Sequence, residues 1–250
     1  MKNATRMIMA VSAAFLAVAA LHAGSKKAHE SHALSAKYAE GLDVQTKNGT
    51  DLGTLRDMVI DPRDGSIDFY VVDTGILGIG GEEKVLPAEH LKHPSKNKAF
   101  FTFTGTEKEF RNAHAMDGTR SFSENMEAAG ASAYVADRLV PAMETVRHEV
   151  YAKGNENVGK VESWVIDPNR NAAPYLIVSD VRFGMSYSSG HEYFLVEADA
   201  IEKLEGNAGD IHLTVTEKEF SNAPKLNDMD AVETIRAGGV TIFRYELASM

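Results

Sequence analysis

Cysteine is absent from all 250 residues. That excludes a disulfide framework, thiol chemistry and a lipid-modified N-terminal cysteine. Also missing is an apolar run of the roughly 20 residues that a helix needs to cross a hydrocarbon core of about 30 Å. The nearest approach, Met7 to Leu21, spans only 15 residues. It follows Lys2 and Arg6 and ends in Leu21-His22-Ala23, the order of a positive segment, an apolar segment and a small-residue cleavage site. Residues 1–23 are therefore expected to be a signal peptide, and the protein to be exported, periplasmic or extracellular. Positive charge is scarce as well: 26 Lys and Arg face 36 Asp and Glu, for a net charge of −10. Loss of Lys2 and Arg6 would make the remainder more acidic still. With no basic stripe to offset this, phosphate backbones are repelled and nucleic acid is not an expected partner. Finally, the chain has no HExxH, no G-x-S-x-G and no P-loop. Its nine His are scattered. His29 and His32, in a Ser/Lys/Ala/His-rich tether from Gly24 to about Ala36, have no third ligand placed nearby. No catalytic residue, no metal site and no cofactor is expected.

What the chain does have is a repeat. Thr106-Glu107-Lys108-Glu109-Phe110 returns unchanged as Thr216-Glu217-Lys218-Glu219-Phe220, and Asn112-Ala113 as Asn222-Ala223. At an offset of 106, Gly53 meets Gly159, Leu55 meets Val161, Asp61-Pro62 meets Asp167-Pro168, and Gly78 meets Gly184. From Leu86 and Val196 the offset is 110, so the second copy carries four extra residues in the loop between Gly184 and Leu195. This spacing predicts two units, residues 37–137 and 147–250, after a signal peptide at 1–23 and a linker at 24–36. Each is of ordinary domain size, and two copies are too few for a solenoid.

Within the first unit, Asn48-Gly49 and Asp64-Gly65 are turn signals. Leu52 to Ile60 reads as a half-buried strand with Leu55 and Val59 on one face and Thr54 and Arg56 on the other. Ile67 to Val72 is the returning strand, Gly75 to Gly81 a Gly-rich hairpin loop, Lys84 to Pro87 a short strand, Ala88 to Leu91 a helical turn and Ala99 to Phe103 another strand. Gly78-x-Gly80-Gly81 lacks the following helix that a dinucleotide fingerprint requires. Asp57 is placed with the Leu55/Val59 set, as a carboxylate accepting backbone N–H bonds. His90 and His93 read as surface residues. Ser121 and Glu124 form a capping box for a helix ending at Gly130, with Phe122, Met126 and Ala129 on one face. Ser132 to Val135 reads as a short strand. The helical appendix returns as Ile235, Gly238-Gly239 and Phe243. Many short strands with frequent turn signals predict a mainly β fold. The expected form is two tandem small antiparallel barrels related by a pseudo-two-fold, each with a C-terminal helical appendix.

Gly53-Thr54-Leu55-Arg56-Asp57-Met58-Val59-Ile60-Asp61, Leu77-Gly78-Ile79-Gly80 and Lys84-Val85-Leu86-Pro87 resemble the PRC-barrel family. The second copy keeps Gly159-Lys160-Val161-Glu162-Ser163-Trp164-Val165-Ile166-Asp167-Pro168. It departs with Ser163 in place of Asp57, Glu197 in place of Pro87, and Phe183-Gly184-Met185 in place of Leu77-Gly78-Ile79. The resemblance implies a small β-barrel used for binding rather than catalysis, and many such proteins are exported. The apolar residues of the two Gly-rich loops, Ile76, Leu77 and Ile79 in the first and Phe183, Met185 and Tyr187 in the second, are the candidate partner-binding residues, since they cannot all turn inward. The expected partner is a protein or a membrane-associated assembly. The alternative is a ligand-processing or hydrolytic protein with a cleft between the two units, marked by polar side chains converging where they meet.

Overall fold

The computed structural model describes residues 34–75, 81–92, 100–168, 170–180, 192–205, 209–223 and 225–226. Leu34–Ser35 forms β1, Ala36–Ala39 α1, Asp43–Thr46 β2, Asp51–Asp61 β3 and Ser66–Asp73 β4. Glu83–Pro87 is β5, and a 3-10 turn at Ala88–His90 leads into β6 at Leu91–Lys92; β7 follows at Phe100–Phe103. Then come α2 (Glu107–Asn112), β8 (His114–Ala115), α3 (Phe122–Ala128), α4 (Ala133–Ala136) and β9 (Val140–Pro141). The second half, which opens with β9, continues with β10 (Glu149–Tyr151), β11 (Asn157–Asp167), β12 (Ala172–Ser179), β13 (Tyr193–Glu197), β14 (Ile201–Leu204), β15 (Ile211–Leu213), α5 (Glu217–Phe220) and β16 (Lys225–Leu226).

The strands make one mixed sheet, in the order β14-β15-β10-β11-β12-β4-β3-β2-β7-β6 along its main path. The sheet is open, which corrects the expectation of two closed antiparallel barrels. Two pairings are parallel, β2 with β7 and β10 with β15. The join between the halves is made by β4 and β12 at Ser66 and Ala172. There the Ile67 N–H donates to Asn171 O and the Ala173 N–H to Gly65 O. Such pairings depend on which edges meet in space, and local alternation carries no record of them.

The two long hairpins, β3–β4 and β11–β12, each carry a bulge near the start of the long strand. In β3 the register shifts between Leu55 and Asp57, so one extra residue is taken up there. Leu55, Met58 and Ile60 consequently face the main core, while Val59 joins a separate cluster on the opposite face. The expected common face for Leu55 and Val59 is thus corrected by the bulge. The main core runs through both halves, from Leu55, Tyr70 and Phe101 to Trp164, Leu176 and Phe220. The smaller cluster packs α3 and α4 over β3, β4 and β5, with Met126, Ala136 and Leu139 against Val59, Phe69 and Val71.

The segment Ser132 to Val135, expected as a strand, is the start of α4: four residues are too few for periodicity to decide. As read from the sequence, α3 begins at Ser121 with Glu124 completing the capping box. The repeated TEKEF motif is also a capped helix. Thr106 and Thr216 accept from the N–H of Glu109 and Glu219, whose side chains reach back to the cap N–H. The first four residues of the motif are exposed in both copies while Phe110 and Phe220 are buried. The first appendix thus holds three short helices instead of one; the expected repeat at Ile235, Gly238-Gly239 and Phe243 lies outside the described residues. So does the proposed signal peptide. The linker boundary moves, because Leu34 and Ala36 are fully buried parts of the fold and not tether.

Candidate functional site

The halves are laced together by two segments that cross in opposite directions. The first is β1 and α1. Leu34 pairs with Ile166 and Ser35 with Val165 of β11. Ser35 Oγ lies 2.8 Å from Ser163 Oγ, and the Lys37 N–H donates to Ser163 Oγ at 3.3 Å. Further along, the Gly41 N–H returns to its own half by donating to Leu55 O at 2.7 Å. The second segment begins at Arg138, which is ion-paired with buried Asp61. Val140 pairs with Ile60 and Pro141 with Val59 of β3. The Ala142 N–H donates to Met58 O at 2.8 Å. The Arg147 N–H then donates to Val161 O at 2.8 Å, in the half that follows. Leu34 and Val140, Ala36 and Ala142, and Gly41 and Arg147 stand at the offset that relates Gly53 to Gly159.

Two buried polar groups sit where the second segment crosses. Asp57 is only 8% exposed. Its Oδ1 accepts from the N–H of Met58 at 2.7 Å and of Met143 at 3.1 Å. This is the role expected of it, with one donor coming from a distant part of the chain. Burial pushes its carboxyl up to about 7 against the pull of those donors, and the charges of Glu144 and Glu40 push the same way. Thr145, fully buried, donates to Ala142 O at 2.7 Å and accepts from Trp164 Nε1–H at 2.9 Å. Thus the turn from Ala142 to Val146 is held on one side by Asp57 and on the other by Trp164, the only tryptophan in the chain. Thr145, Trp164 and Ser35 were not among the sequence candidates. The shared offset of Leu34-Ser35-Ala36 and Val140-Pro141-Ala142 is the signal that marks both crossing segments.

The six candidate partner-binding residues, Ile76, Leu77, Ile79, Phe183, Met185 and Tyr187, lie outside the described residues. The strands that flank them are antiparallel neighbours, β4 with β5 and β12 with β13. At the first neck, the Gly75 N–H donates to Asp73 Oδ1 at 2.7 Å, and Thr74 and Glu82 exchange hydrogen bonds. At the second, the Asp180 N–H donates to Glu192 O at 2.9 Å. Beside the first neck a shallow groove is lined by Thr50, Asp51, Thr74, Glu82, Lys84 and Arg111. Its cations are paired, Lys84 with Glu82 and Arg111 with Glu107.

Among the described residues no three His, Asp or Glu side chains converge as a metal site. Nor is any helix among them long and apolar enough to cross a membrane. No curated protein matches the chain. Residues 36–103 match the PRC-barrel family, and that span holds the β3–β4 hairpin, the neck of the first loop and β5 to β7: the chain contains a PRC-barrel domain.

Proposed function

We propose that this is an exported, non-enzymatic binding protein built from two PRC-barrel-type units in tandem. It docks a protein or membrane-associated partner through the loops carrying Ile76, Leu77 and Ile79 and Phe183, Met185 and Tyr187. The observation that carries the reading is the PRC-barrel domain at residues 36–103, whose sequence includes the first Gly-rich loop and whose flanking strands meet at a neck pinned by Asp73 and Thr74. The tandem arrangement is supported by the crossing segments, whose bonds recur at one offset in the two halves. Polar side chains do meet between the halves, as the ligand-processing alternative requires, but they are buried and spent on internal hydrogen bonds, which supports binding instead. Asp57, Ser163 and Thr145 are buried and engaged with backbone groups or with each other's neighbours.

Capture of partners from the envelope fraction tests the loops. Combined Phe183→Ser, Met185→Ser and Tyr187→Ser replacement is expected to weaken capture while the melting temperature stays within a few degrees, since surface changes usually cost about 0.5 kcal/mol or less each. A large fall in melting temperature would mean that these side chains are packed, and the docking idea would be wrong. Export is tested by fusing residues 1–36 to a reporter, which is expected outside the cytoplasm. Retention of the full-length fusion in the cytosol rejects it.

A further inference from the structure

The turn from Ala142 to Val146 is the place where a change at one side chain would be felt by both hairpins. On the first hairpin it is held by the Met143 N–H donating to Asp57 Oδ1, at the bulge in β3. On the second it is held by Trp164 Nε1–H donating to Thr145. Ser163, at the position matching Asp57, accepts the corresponding N–H from Lys37 with a neutral hydroxyl. A neutral acceptor therefore suffices for this joint, and the first half instead carries an ionisable one. The charged groups that face Asp57 are Glu144, on the turn itself, and Glu40, at the end of α1. Arg56, beside it on β3, is directed to Glu40 and Glu83. Ionisation of Asp57 hence adds a third acid to the joint.

We propose that the Ala142–Val146 turn is a pH-sensitive clasp between the two hairpins, closed when Asp57 is protonated and loosened when Asp57 ionises. The direction follows from the carboxyl being pushed up to about 7 by burial, above the roughly 4 of an exposed carboxyl. A group that holds its proton more tightly in the closed form favours that form most below both values. The advantage falls as pH rises between them and is gone above the higher one. The clasp is a property of the joint and stands apart from what the loops bind.

The sole tryptophan reports on it. Trp164 emission of the folded full-length protein, measured from pH 5 to 9, is expected to change with a midpoint near 7. Between pH 6 and pH 8 the Met143 amide should lose about tenfold of its exchange protection beyond the intrinsic pH effect, most of it below pH 7, where each pH unit carries close to a factor of ten. Asp57→Asn keeps both backbone bonds without the charge and should abolish both changes, holding the emission at its acid value. Asp57→Ser, which copies the residue at position 163, should do the same and covers the case of an asparagine variant that fails to fold. Histidines as a class titrate in this range, and His148, two residues past the turn, donates its N–H to Thr145 O, so His148→Gln is the control and should leave the transition in place. A flat wild-type titration, a transition surviving in Asp57→Asn or Asp57→Ser, or one lost in His148→Gln overturns the proposal.

Discussion

Replacing Gly53 with alanine is expected to lower the melting temperature of the whole molecule by about 10 °C or more, in one transition. Gly53 has φ +129°, and a Cβ built on it would lie 2.1 Å from Asp73 O of the paired strand. No flexible side chain can yield there, because the obstacle is backbone, so β3 and β4 must part. Strain at a disfavoured φ costs about 1–3 kcal/mol, and forced displacement in a packed site a similar amount. Each kcal/mol moves the midpoint of a unit of this size by roughly 2–4 °C. Gly159 repeats the geometry, with φ +149° and its Cβ 2.1 Å from Ser179 O, and Gly159→Ala should have an effect of the same size. The sharper expectation is the single transition. The main core runs through both halves, and each half supplies a strand to the other's long hairpin. Differential scanning calorimetry checks it. Two separated transitions in Gly53→Ala, the altered half melting first, would show that the halves fold independently.

Those glycines were legible in the sequence as the repeated start of a motif, though not the reason for them, which is a carbonyl on another strand. The same division runs through the fold. The β3–β4 hairpin, its turn at Asp64-Gly65 and the Ser121 cap follow from neighbouring residues, and each is found where its local chemistry put it. The TEKEF motif carries its helix cap in the same local way, with Thr106 and Glu109 at capping-box spacing. The bulge at Leu55–Asp57 could not, because Arg56 and Asp57 continue a plausible alternation, and only the partner strand shows that two residues oppose one. Asp57 is legible as an acceptor of backbone N–H groups, but its second donor, Met143, is 86 residues away. The crossing segments are illegible in the local sequence for a related reason. A two-residue strand such as β1 or β9 has no period of its own, and its identity is fixed by the edge on which it lands.

Truncating Trp164 to alanine should be the most damaging single change at the joint. The indole is fully buried in the main core, and its Nε1–H is bonded to a threonine of the crossing turn. Loss of a buried tryptophan typically costs about 3–5 kcal/mol, part transfer and part cavity. Its position between the halves leaves little that can collapse into the space without moving β11 or the turn. Trp164→Phe separates the two contributions: it retains much of the volume and removes the donor, for about 1–2 kcal/mol. Thr145→Val removes the acceptor instead, keeping the bulk, and also frees the Ala142 carbonyl that Thr145 now occupies. In a double-mutant cycle the Trp164→Phe and Thr145→Val effects should fall short of additive by about 1 kcal/mol, the worth of the bond they share. Chemical denaturation of the four proteins measures this. Strict additivity would mean that the indole stabilises the joint by packing alone, and that the turn is held to the second hairpin by its backbone contacts through Arg147 and not by Trp164.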